Sequence, residues 1–283
     1  MKPIFRCIAF SCLFVQFIIP SHSCFGDNVA HFTPAGATFI SPDHHSRAVL
    51  NGKSNGYSIF RDDALIYEIS DPRISYRNGE LLLSNDGHLV AWILLNGFLG
   101  HLDSSPDQLK APAVEIFHDG KRSKSYSLKW LLVRPVLVKE TASHTFWRRD
   151  VKGGDIFQNA AGDEVNFETT SFRLCRVDLR KGILDAKDDP LWVKQRLVVF
   201  GKFTPSPAAE RSFEISDLVV LKGRLSRSRI NAFDESKTYP SFKGWAKRSY
   251  WCGAALREEH GAYFIDMPFS NFSPRLVNGQ FNE

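Results

Sequence analysis

The segment richest in chemical groups is Phe242-Lys243-Gly244-Trp245-Ala246-Lys247-Arg248-Ser249-Tyr250-Trp251-Cys252, which sets four aromatic rings among three cations. Ring faces stack on sugars or bases, and cations hold anionic groups. Trp245, Lys247, Arg248, Tyr250 and Trp251 are therefore the candidate ligand-binding residues, and a glycan or envelope polymer is the ligand they suit. The same composition also describes half-buried rings with snorkelling cations. Lys222, Arg224, Arg227 and Arg229 form a second basic stripe, which reads as a solvated face.

Glu258-Glu259-His260-Gly261 sets two carboxylates beside a histidine. Glycoside hydrolysis needs two carboxyls about 5–10 Å apart across a sugar, and neighbours before a glycine read more simply as a hairpin turn. Ser143-His144 lacks an indicated partner acid, and sequence neighbours rarely have triad geometry. His44, His45, His88, His118 and His144, with Asp43, Asp86 and Asp119 adjacent, raise the question of a metal. Adjacent residues of extended chain face opposite sides, so no metal site is expected. Stacked repeats are the one route by which His45 and His88 would line the same edge. There is no Gly-x-Ser-x-Gly elbow, His-Glu-x-x-His helix or Gly-rich phosphate loop. No catalytic residue is assigned and no cofactor is expected.

The elements that must position these groups are strands. Few stretches show helical periodicity, and 23 Phe against 2 Met suits pleated surfaces. Strands are expected at Ala64–Ile69, Ala113–Phe117, Lys124–Leu128, Phe172–Leu179, Val193–Phe200, Phe213–Leu221 and Ala262–Met267. Asn78-Gly79 predicts a hairpin turn joining Arg73–Tyr76 to Glu80–Leu83. A phase slip at Leu174-Cys175 predicts a β-bulge. Short helices are expected at Leu128–Val133 and Asp185–Lys194. Val151–Asp163 reads as a polar loop that could divide two halves, and Thr204–Ala209 as a Pro-rich surface connector.

Of five cysteines, Cys175 and Cys252 could pair in an oxidising compartment, the alternative being two separate buried thiols. No Cys-x-x-Cys occurs, so neither a zinc knuckle nor a thioredoxin-type centre is supported.

Two stretches repeat. Ile40–Leu50, "ISPDHHSRAVL", aligns with Leu83–Ile93, "LSNDGHLVAWI", 43 residues on, matching Ser41 with Ser84, Asp43 with Asp86, His45 with His88 and Ala48 with Ala91. A period of about 40–45 residues is that of four-stranded propeller blades. The motif resembles the Ser-Pro-Asp-Gly repeats of TolB-like and related β-propellers of exported bacterial proteins. Ala113–Lys121, "AVEIFHDGK", resembles the following strand and turn. Asn85 stands in place of the Pro and His44 in place of the Gly. The resemblance spans about Phe39–Leu128 and implies a scaffold for protein or ligand contacts, without a particular chemistry.

The N-terminus sets the expected compartment. Lys2 and Arg6 precede an apolar run, Ile8–Ile19, then Pro20 and Ser21-His22-Ser23, the layout of a secretory signal peptide covering residues 1–23. The run is too short to span a bilayer, and Cys24 fits a lipidation signal poorly. Removing Lys2 and Arg6 lowers the formal net charge from +5 to +3, too little to argue for nucleic-acid binding. The reading is an all-β, mostly antiparallel domain over 24–283 with divergent or partial propeller-like sheets and a few short helices. Its expected role is an exported, non-catalytic binding or assembly module of the periplasm or envelope with a protein or glycan partner. The alternative is an extracytoplasmic hydrolase acting on a glycan or envelope polymer.

Overall fold

The computed structural model describes residues 33–52, 56–74, 76–96, 98–99, 106–134, 139–140, 144–149, 156–205, 213–225, 250–259 and 262–272. The expected signal peptide, Cys24, Ser143, Trp245, Lys247, Arg248, Arg227, Arg229 and His260 lie outside them.

The fold is mostly antiparallel strands with a few short helices. The first sheet is a meander of β1 (Thr38–Ile40), β2 (Ser46–Asn51), β3 (Gly56–Arg61) and β4 (Ala64–Ile69). The second takes β5 (Gly79–Leu83) and β6 (Leu89–Leu94). The chain then leaves through β7 (Phe98–Leu99) and returns to the same sheet as β8 (Pro112–His118) and β9 (Lys121–Ser127). Helix α1 (Leu128–Leu131) follows, and β10 (Lys139–Glu140) and β11 (His144–Phe146) make a small sheet with β7. The third meander is β12 (Ile156–Gln158), β13 (Glu164–Glu168), β14 (Arg173–Asp178) and β15 (Ile183–Asp188). After α2 (Pro190–Lys194), the long strands β16 (Leu197–Pro205), β17 (Phe213–Lys222), β18 (Tyr250–Glu259) and β19 (Ala262–Phe272) form a sheet ordered β17-β16-β18-β19. Four-stranded antiparallel meanders in series are the unit of propeller-like architecture.

Burial explains the stacking. Along β2 every second residue, Ser46, Ala48 and Leu50, is buried, as on a strand with one covered face. In β6 and β8 the residues Val90–Leu94 and Ala113–Phe117 are all buried, which requires cover on both faces. The second sheet is thus packed between its neighbours. One apolar cluster runs from Ala48 and Tyr57 in the first sheet through Trp92 and Ile116 to Val177 and Leu184 in the third.

Four expectations are corrected. Arg73–Tyr76 is not a strand, because Tyr76–Asn78 is a 3-10 turn and Gly79 opens β5, which pairs with β6. Tyr76 turns inward instead. It is buried, and its hydroxyl accepts from the Asp71 N–H. Gly79 is required because a Cβ there would meet the Trp92 indole. No bulge occurs in β14, whose pairing with β13 runs unbroken from Glu164↔Asp178 to Glu168↔Leu174. Cys175, Val177 and Leu179 are buried while Leu174 is half-buried, so the phase slip reflects an aliphatic residue on the less covered face. The helix expected over Asp185–Lys194 shrinks to α2. Residues up to Asp188 pair with β14, and Pro190, at the first turn behind an Asp189 cap, starts the helix there. Within Val151–Asp163, Ile156–Gln158 is strand β12. Cys175 is a free, buried thiol, and the Cys252 side chain lies outside those described.

Candidate functional site

The repeated corners coincide atom for atom. Ser41 Oγ donates to Asp43 Oδ1 at 2.6 Å, and Ser84 Oγ to Asp86 Oδ1 at 2.6 Å. The Ser46 N–H reaches Ser41 Oγ at 2.9 Å, and the Leu89 N–H reaches Ser84 Oγ at 3.0 Å. The His45 and His88 N–H groups donate to Asp43 and Asp86 at 3.1 and 3.0 Å. Each imidazole Nδ1 then meets a carboxylate on the hairpin turn that closes its sheet, His45 to Asp62 at 2.7 Å and His88 to Asp119 at 2.6 Å. His44 holds φ 65° and Gly87 φ 76°, the left-handed position that the corner needs.

A third corner is present that the residue types conceal. The Asn159 side-chain oxygen does the work of the serine hydroxyl, accepting from the Asp163 and Glu164 N–H groups at 3.0 and 3.2 Å, while Gly162 at φ 70° stands for Gly87. The Leu179 N–H bonds the Asp163 carbonyl at 2.8 Å, as the Asp119 N–H bonds that of His88 at 3.0 Å. The ion pair is reversed, with Asp163 meeting Arg180 where His88 meets Asp119. Asn85 links the corners. It accepts from the Asp43 N–H at 3.3 Å, its carbonyl accepts from Ser46 Oγ at 2.9 Å, and Gly162 packs against its side chain.

His45 and His88 each sit on a separate carboxylate, and no group of three His, Cys, Asp or Glu that could hold a metal occurs among the described residues. The Asp62 hydrogen bond raises the His45 pKa above its ordinary value. Ser41 donates to Asp43 and lowers its carboxyl.

The first and second sheets leave a cleft of about 500 Å³ between them, lined by Ser70, Asp71, Pro72 and Arg73 on one side and Phe117, Gly120, Lys121 and Arg122 on the other. Asp71 follows β4 and takes both Arg73 Nε at 2.8 Å and Nη2 at 2.7 Å. That fork lowers the Asp71 pKa. Arg122 Nε stands 3.6 Å from Asp71, and its Nη1 3.6 Å from Glu115 Oε1. Both exceed hydrogen-bond length, so the guanidinium is held between two carboxyls and spends none of its donors on them. Glu115, in the middle of β8, lies beneath it with a side chain 0% exposed. Its Oε1 accepts from Ser125 Oγ at 2.7 Å, and its Oε2 has no partner. Burial pushes the Glu115 carboxyl up to about 7, the nearby Asp71 charge acting in the same direction. The outward-facing groups are cationic: the Arg73 side chain is 59% exposed and that of Asp71 only 7%.

Of the expected ligand-binding residues, Trp245, Lys247 and Arg248 lie outside the described residues. Tyr250 and Trp251 open β18, in register with Phe203 and Lys202 of β16. Glu258 and Glu259 are arms of the β18–β19 hairpin, opposite Tyr263 and Ala262. Lys222 is not a free surface cation, since its Nζ donates to the Trp192 and Val193 carbonyls at the end of α2. The cleft residues went unassigned in the sequence, where Asp71-Pro72 reads as a strand terminator. The available signal is Glu115 itself, a lone charge inside the apolar run Ala113–Phe117.

No protein-family model and no curated protein matches the chain. Its likenesses are to solved structures. One is a candidate 6-phosphogluconolactonase from Bacteroides uniformis, at 13% identity over 53% of this chain and 38% of that one, with a TM-score of 0.28. A periplasmic gluconolactonase from Pseudomonas aeruginosa matches at 15% identity over 66% of this chain and 49% of that one, TM-score 0.27. The Cps50 (Swd1) β-propeller domain from Myceliophteria thermophila matches at 12% identity over 83% and 87%, TM-score 0.26. The chain spans well under half the length of the first three structures it matches. Scores of this size transfer no activity, and the chemistry named belongs to those proteins.

Proposed function

We propose that the chain is an exported, non-catalytic binding or assembly module that retains a glycan or envelope polymer in the cleft between its first two sheets. The observation that supports this most is the division of labour in that cleft. The groups with tuned acidity, Glu115 and Asp71, are enclosed, whereas Arg73 is open to a ligand. Glu115 has no exposed side-chain surface from which to transfer a proton, and Asp71 is taken up by the Arg73 fork. Trp245, Lys247, Arg248, Tyr250 and Trp251 are proposed as a second contact for a long polymer.

One observation favours the hydrolase alternative. Two carboxyls pushed in opposite directions beside one guanidinium is an arrangement that acid–base enzymes use. Incubating the purified chain with neutral and acidic polysaccharides, while following retention and new reducing ends together, separates the two. The binding reading expects retention without new ends. New ends that disappear in Asp71→Asn would establish the hydrolase instead.

A further inference from the structure

Three cations, Arg73, Lys121 and Arg122, face a single cleft. Against them stand Asp71, already forked by Arg73, and Glu115. With Glu115 titrating near 7, its negative charge is only partly present at neutral pH, so the cleft carries a net positive charge. Arg122 and Lys121 make no hydrogen bond to another described side chain, and Arg122 is poised 3.6 Å from both carboxyls. A guanidinium offers five donors in a planar fork that matches an anionic oxygen pair. Phe117 and Pro72 supply apolar wall between the charges.

We propose that the cleft is an anion site in which Arg122, Arg73 and Lys121 take the carboxylate or phosphate groups of an acidic glycan. This rests on the reading of the cleft as the ligand site. Arg122 forks the anion from below, and Arg73 and Lys121 close on it from the two rims. Glu115 acts as a positioning residue. It holds Arg122 in the cleft without a direct hydrogen bond, and as an anion it competes with the ligand for that guanidinium. The groups that face Glu115 are Ser125 and Arg122 from β9, Asp71 and Arg73 from the loop after β4, and Tyr76 from the 3-10 turn. Of these only Glu115 changes charge between pH 6 and 8.5. Affinity for a carboxylate ligand, whose own charge is constant across that window, therefore falls as pH rises through it.

The test uses the full secreted chain and three probes: hexagalacturonate for a carboxylate source, inorganic phosphate for a phosphate source, and a neutral galactan hexamer. Calorimetric titration at low salt expects binding of one or both anionic probes, with the neutral hexamer at least tenfold weaker. Arg122→Met weakens the anion at least tenfold, and Lys121→Glu, on an exposed turn where folding is not at risk, weakens it several-fold. Glu115→Gln removes the loss of hexagalacturonate affinity above pH 7, and phosphate, which itself titrates near pH 7, is compared at one pH only. Anion binding unchanged in both Arg122→Met and Lys121→Glu overturns the proposal. Equal or tighter binding of the neutral hexamer, lost in Arg122→Met, overturns the anion assignment and leaves the cleft as the ligand site. Binding of no probe defeats both.

Discussion

Replacing Glu115 with glutamine tests the electrostatics of the cleft through stability alone. The side chain is fully enclosed, and burial carries its pKa from an ordinary 4.5 to about 7. The folded protein thus holds this proton more tightly than the unfolded chain does. The contribution is complete below pH 4.5 and disappears as pH rises through 7. A shift of that size corresponds to about 3 kcal/mol, most of it lost between pH 5 and 8.5. The lowered carboxyls, Asp43 and Asp71 among them, act at lower pH, where stability falls as they are protonated. His45, raised by Asp62, has the same sign as Glu115, but it is present in both proteins and cancels in the comparison. Glutamine keeps the oxygen that accepts from Ser125 and has no charge to bury. Urea unfolding at a series of pH values is the assay. The parent chain should lose about 2–3 kcal/mol more than Glu115→Gln between pH 5 and 8.5. Parallel curves for the two proteins would refute the claim that a buried, proton-holding carboxyl underlies the cleft.

Other outcomes follow from the corners and the third sheet. Ser41→Ala and Ser84→Ala should each cost about 1–3 kcal/mol in urea unfolding, because each leaves an enclosed backbone N–H without its hydroxyl acceptor and an aspartate without its hydroxyl donor; a negligible cost for both would show that the corners carry no stability. Asp62→Asn should lower the His45 pKa in an NMR titration, since the Asp62 hydrogen bond is the main cause of its elevation; an unchanged value would contradict the pair. Burial pushes the Cys175 thiol up to about 12, so peptide mapping after iodoacetamide at pH 8 should find it unmodified in the folded chain and alkylated in urea. Rapid native alkylation would place it at the surface.

The corners were legible because their chemistry is local. A serine, an aspartate two residues on and a left-handed residue between strands are types that few alternatives satisfy, so Ser41 and Ser84 could be aligned from letters alone. The third corner escaped because Asn159 substitutes an amide oxygen for a hydroxyl, and Asp163 with Arg180 reverses the charges. Geometry was kept while identity was lost. The Arg73–Tyr76 strand failed because burying the Tyr76 ring outweighed the hairpin preference of Asn78-Gly79. The cleft was illegible for a different reason. Asp71 and Arg73 come from the first sheet, and Glu115, Lys121 and Arg122 from the second, and nothing local in either segment announces the other. The aromatic segment around Trp245 drew attention by composition and lies outside the described residues, whereas the cleft cations are more than a hundred residues earlier.

The central claim, that ligand is held between the first two sheets, is tested most directly by hydrogen–deuterium exchange of the full chain with and without hexagalacturonate. The account predicts ligand-dependent protection of the amides in Ser70–Arg73 and Gly120–Arg122. Protection confined to residues 242–252, with those two segments unchanged, would contradict it.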